Sequence, residues 1–148
     1  VRCSISRRYP DRPFLGVGAI IFDDAGRLLL VERGGEPLKG KWSLPGGIVE
    51  TGELLKDAAR REVLEETGLE VQPLDIFEVF ERIMPDCEGR AEYHYVLVDY
   101  ICRVTGGQLA PATDVSRAAW VARTDLSEYD LTEGTLAVIL RAFDHAGQ

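Results

Sequence analysis

Cysteine is scarce in this chain: Cys3, Cys87 and Cys102 are the only three in 148 residues, far apart and without a CxxC pair. That spacing excludes a disulfide framework and a cysteine zinc site, and it suits a reducing cytoplasm. Long hydrophobic runs are missing too. Val17 to Phe22 and Leu28 to Val31 are the longest, strand-length pieces far below the ~18 residues of a membrane span. The basic N-terminus, VRCSISRRYPDRPF, is not followed by the apolar stretch of a secretory signal. A positive excess is also lacking, since 17 Lys and Arg face 25 Asp and Glu for a net charge of −8. A nucleic-acid polymer is not an expected partner, because such binding rests on a basic excess, and with no span-length apolar run no membrane is expected either. A small phosphorylated ligand stays open, since divalent cations held by carboxylates invert the local sign.

No repeat, low-complexity tract or Gly/Pro-rich linker divides the chain. Its length fits one hydrophobic core, and the expected organisation is an N-terminal segment, residues 1–13, followed by a single domain, 14–145. Leu15 to Phe22 and Leu28 to Glu32 read as strands joined at Asp23-Asp24-Ala25-Gly26, with a loop over Gly34 to Lys41 and a short extended piece at Trp42 to Leu44. A helix is expected from Gly52 or Glu53 to Thr67, with Thr51 as its N-cap and Gly68 as a left-handed stop. Val71 to Arg82, interrupted at Pro73, Tyr93 to Val104 and Ala118 to Ala122 read as further strands. Thr132 is expected to start a second helix with an apolar face. The pattern predicts an α/β protein, a sheet with helices packed on it.

The first helix breaks its own pattern. Leu54, Leu55, Ala58 and Ala59 set an apolar stripe, and its continuation brings Glu62, Glu65 and Glu66. At i, i+3 and i+4 these side chains share one sector, where like charges repel. A solvated acidic face is the plain explanation, yet the stripe borders Val63 and follows Ala58 and Ala59, at the edge of a buried face. Hard cations such as Mg2+ take oxygen ligands in such clusters. Gly46 and Gly47 let backbone carbonyls approach an ion, and Glu50 and Glu53 add carboxylates nearby; Glu53 is also suited to the helix dipole of a first turn.

Gly47, five residues, Glu53, seven residues, then Arg61-Glu62-Val63-Leu64-Glu65-Glu66-Thr67-Gly68-Leu69 resembles the Nudix box, G-x5-E-x7-R-E-U-x-E-E-x-G-U, at every fixed position. The strands GVGAIIF and LLLVERG and the entry GKWSLPGG are similar to Nudix proteins as well. The resemblance implies an α/β/α sandwich with a mixed β-sheet between helices, and hydrolysis of a nucleoside diphosphate linked to another moiety. It implies Mg2+, or Mn2+ in its place, held by Glu62, Glu65, Glu66 and the Gly46 carbonyl. Glu53 and Arg61 would orient the site, with Glu65 and Glu66 also counted as catalytic.

Outside the box, a general base is expected from a box glutamate or a later loop. Asp114 matches the family's usual place and Glu92 is its rival, each with an alternative as a turn or strand-edge acid. Arg33 is either a phosphate clamp, together with Gly46 and Gly47, or a solvated strand-end cation. Trp42 and Trp120 read as core aromatics, and His94 as structural. Pro85, sixteen residues beyond Leu69, resembles a mark of ADP-ribose hydrolases. The expected substrate is therefore a small nucleoside diphosphate derivative, ADP-ribose or a related nucleotide sugar. The alternatives are a MutT-like (d)NTP pyrophosphohydrolase, a nucleotide-sensing domain without turnover, and a purely structural metal site; a homodimer stays open.

Overall fold

Strand β1 (Phe14–Ile21) is apolar throughout because both of its faces are covered. The computed structural model describes residues 7–110 and 115–147. Val17, Ala19 and Ile21 of β1 pack with Ala58, Ala59 and Val63 of helix α1 (Leu55–Thr67). Ile20, on the opposite face, packs with Val138, Ile139, Ala142 and Phe143 of helix α2 (Thr135–His145). The sheet thus separates two cores, each closed by its own helix. Val63 and Phe143 are fully buried, and each such side chain contributes ~1.5–3 kcal/mol relative to exposure.

The remaining strands are β2 (Leu28–Arg33), β3 (Trp42–Ser43), β4 (Gly46–Ile48), β5 (Leu69–Pro85), β6 (Ala91–Gly107) and β7 (Val115–Val121). One sheet runs β4-β1-β6-β5 and a smaller one β3-β2-β7. β1 pairs parallel with β6 and antiparallel with β4, so the larger sheet is mixed. This is the expected α/β/α arrangement. The parallel register sets Gly16 beside Leu97 and Gly18 beside Asp99. No helix of the described residues is long and apolar enough to cross a membrane.

Several boundaries differ from the sequence expectation. Helix α1 starts at Leu55 with Leu54 at the N-cap position, and Thr51 caps nothing. The preceding residues form a tight turn instead: Gly52 has φ +85°, the Glu53 amide donates to the Glu50 carbonyl at 3.0 Å, and the Glu50 amide donates to Glu53 Oε1 at 3.1 Å. Glu53 therefore precedes the helix, and Leu54 is 72% exposed rather than part of the buried stripe. The stop at Gly68 is as expected, with φ +78°. Pro73 does not end β5, because register shifts between Pro73 and Ile76 absorb it. Thr132 lies before α2, buried, and the helix begins after Gly134 in the left-handed conformation.

Candidate active site

Strand β4, the turn after it and the first three turns of α1 form one tied unit. Arg61 is its hub. Its Nε and one terminal nitrogen donate to both oxygens of Glu53, at 2.7 and 2.9 Å, a bidentate pair. The same nitrogen reaches the Ile48 carbonyl at 3.1 Å, and the other donates to Glu62 at 2.8 Å and Glu65 at 3.3 Å. Hydrogen bonding to Glu53, then to Glu62, raises the guanidinium pKa against the opposing effect of burial. Arg61 stays charged at any working pH and fixes the turn onto the helix.

Glu66 is 7% exposed and accepts the Gly46 amide at 2.9 Å. The glycines before it are required by close approach: a Cβ on Gly46 would strike the Val17 carbonyl, and one on Gly47 would strike the Glu62 carboxylate. Glu62, Glu65, Glu66, Gly46, Gly47 and Arg33 line a common cleft of about 500 Å³. The structure brings these six residues to one cleft. As placed, Glu62 and Glu65 turn toward Arg61 and Glu66 toward β4, and among the described residues no three Asp, Glu, His or Cys side chains stand together as ligands of one ion. The donor set itself, three carboxylate side chains beside backbone carbonyls, has the hard-oxygen chemistry that Mg2+ takes.

Arg33, at the end of β2, is half-buried and donates from Nε to the Pro37 carbonyl at 2.8 Å. Burial lowers its pKa, and Arg7 adds to that in the same direction against the pull of Tyr95 and Glu66. It is therefore no solvated strand-end cation. It stands where the acidic cleft meets a second, smaller cavity of about 100 Å³, since both cavities share Arg33, Ser43, Leu44, Gly46 and Gly47 in their walls.

Asp114 lies outside the described residues. Glu92 is ion-paired with Arg8 at 2.8 Å and lines neither cavity. Trp42 is buried edge-to-face against Tyr129, with ring centroids 4.9 Å apart, and Trp120 packs on the α1 core, both as expected. Burial pushes the Cys102 thiol up to about 12, which leaves it protonated and inert.

Sequence reading missed the smaller cavity. Besides Arg7, Arg33 and Ser43 at the junction, its polar members are Asp99, Tyr95, Arg82, Thr132 and Thr135, against apolar walls that include Phe80, Leu97 and Val138. One signal was available: Asp99 interrupts the apolar run VLVDYIC on the parity of Leu97 and Ile101. An acid at such a place on a covered strand calls for a partner or a ligand.

A glycine-rich strand and an acidic helix face thus meet at one cleft, beside an arginine-tied turn. The sequence profile described as NUDIX domain matches residues 12–143, and the chain belongs to that family. It is 37% identical over 106 residues to an ADP-ribose pyrophosphatase of Methanocaldococcus jannaschii, covering 72% of this chain and 60% of that protein. It is 32% identical over 112 residues to an 8-oxo-dGDP phosphatase of Homo sapiens, covering 73% of this chain and 32% of that one. This chain thus spans less than two thirds of either relative. Among solved structures, the MutT protein from Methanosarcina mazei superposes with a TM-score of 0.76 at 26% identity, over 94% of this chain and 99% of that one.

Proposed function

We propose that the unit 14–145 is a Mg2+-dependent pyrophosphohydrolase, active with Mn2+ in its place, that cleaves a nucleoside diphosphate linked to another moiety. ADP-ribose or a related nucleotide sugar is the preferred substrate. The observation that carries this reading is the common wall of the two cavities: an acid-lined cleft meets a largely apolar cavity at Arg33, Gly46 and Gly47. That arrangement suits a ligand whose anhydride and base need different surroundings. The archaeal relative named for ADP-ribose supports the substrate preference.

Glu62, Glu65, Glu66 and the Gly46 carbonyl would hold the cation. Bound there, Mg2+ supplies charge neutralisation at the anhydride and a water acidic enough to attack near neutral pH. Arg33 donates to phosphate oxygens at the junction, and the Gly46-Gly47 backbone leaves them room to approach. Glu53 works through Arg61, which holds Glu62 and Glu65 at the cleft. Of the cleft carboxylates, Glu66 is the most enclosed, and Asp114 is the rival acceptor of the water proton. A hydrolysis of this kind yields AMP and ribose 5-phosphate from ADP-ribose.

A second reading, release of pyrophosphate or phosphate from oxidised guanine nucleotides in the manner of MutT, has the human relative in its favour. A panel of ADP-ribose, other nucleoside diphosphate derivatives, (d)NTPs and the 8-oxo forms of dGDP and dGTP, incubated with the protein and Mg2+ and separated chromatographically, decides between them. AMP from ADP-ribose is the expected product. A dNMP with pyrophosphate favours the second reading, and no hydrolysis of any member overturns both.

A further inference from the structure

One carboxyl on the α2 side of the sheet is left unused by the hydrolytic chemistry. Asp99 lies in the middle of β6, 4% exposed. It takes no hydrogen bond from any described residue, and burial pushes its carboxyl up to about 7, Glu78 adding to the rise and Arg82 opposing it. A buried carboxyl without a hydrogen bond is among the costlier groups a core can hold, and such groups collect where a ligand completes them.

The surroundings point the same way. β1 sets Gly18 beside Asp99, and a Cβ there would strike Asp99 Oδ1, so the glycine leaves the room that this carboxyl occupies. Two polar atoms of residues that line the cavity are buried without partners among the described residues, the Tyr95 hydroxyl and Arg82 Nε. The outer end of the same Arg82 is anchored, donating to Thr132 Oγ1 at 3.2 Å and to the Glu133 carbonyl at 3.1 Å. Unpaired acceptor and donor atoms between apolar walls from Phe80, Leu97 and Val138 match a flat ring with hydrogen-bonding edges.

We propose that Asp99 is the base-selecting residue, its carboxyl accepting the exocyclic amino group of an aminopurine held in this cavity while the phosphates lie in the acidic cleft. The inference rests on the nucleotide-hydrolase reading and concerns the part of the substrate that the hydrolysis does not touch. A ring without the amino group leaves the carboxylate unpaired, and a site built around such a bond rejects the analogue that lacks it.

Calorimetric binding at pH 8.5, without turnover, tests it with two matched pairs. AMP and purine riboside 5′-monophosphate differ only by the 6-amino group, and GMP and IMP only by the 2-amino group. The amino member of at least one pair is expected to bind about tenfold tighter or more, and the pair that shows it identifies the purine. In Asp99→Leu the ratio falls below about threefold because the tight partner weakens. In Asp99→Asn it falls because the amide donates to the ring of the analogue and tightens the weak partner. Ratios below tenfold in both pairs, absence of binding, or a ratio that persists in either variant overturns the proposal. Failure of the hydrolase reading shows separately, as an intact binding ratio beside no turnover of any nucleotide with Mg2+.

Discussion

The two cavities that meet at Arg33 are built on opposite principles. In the acidic cleft Arg61 satisfies Glu53, Glu62 and Glu65, and Glu66 takes a backbone amide. In the smaller cavity Asp99 takes no hydrogen bond, and Tyr95 and Arg82 keep unpaired atoms, among the described residues. The cleft is held in shape by its own charges, with Glu62 and Glu65 turned to Arg61 and Glu66 to β4. The cavity is held by the strands and helix around it. Paired charges fix the shape of a site, whereas unsatisfied groups at a fixed place serve selection.

Breaking the cleft is expected to have the largest effect on rate. Glu66→Gln keeps the shape and an acceptor for the Gly46 amide but removes a charge, and should lower turnover of ADP-ribose by roughly 10²-fold or more with little change in Tm. A mutant as fast as wild type removes Glu66 from the catalytic group.

Breaking the cavity should do the reverse, raising stability. The folded-state pKa of Asp99, about 7, lies above its ordinary value of 3.8. The folded chain therefore holds the extra proton between those values, and the contribution of Asp99 to stability falls as pH rises through that window. At pH 8 the ionised carboxylate costs on the order of 4 kcal/mol, an upper bound, and at pH 3.5 little of it. Thermal melts of Asp99→Asn should rise above wild type at pH 8 and converge with it in acid. A fall at pH 8 would mean that Asp99 has a structural partner.

Two substitutions sharpen the comparison further. Gly47→Ala drives a methyl into the Glu62 carboxylate, and denaturant unfolding should show a loss of about 1–3 kcal/mol together with weaker activity. Thr51→Ala is the smallest: with Leu54 rather than Thr51 at the helix start, unfolding should change by no more than ~0.5 kcal/mol, whereas a true N-cap would cost about 1 kcal/mol.

The cleft was legible in the sequence because its members lie within one short stretch, where helical spacing alone brings Glu62, Glu65 and Glu66 to one side. The helix start was misread because Glu53 serves Arg61 and the turn, which no propensity reveals. Asp99 was passed over for a different reason. Its meaning depends on the parallel pairing of β1 with β6, which places Gly18 beside it, and on α2 closing the cavity over both. Such relations join distant parts of the chain, and only the acid in an apolar strand leaves a mark in the local pattern.

The central claim is that the acidic helix face grips a divalent cation against a nucleotide anhydride. Titrating Mn2+ into the protein with a nucleotide present, and following the free ion by electron paramagnetic resonance, tests it directly. Uptake by the wild type that is lost in the variant with Glu62, Glu65 and Glu66 all changed to Gln is the predicted result. Equal uptake by both proteins, or none by either, would contradict the account.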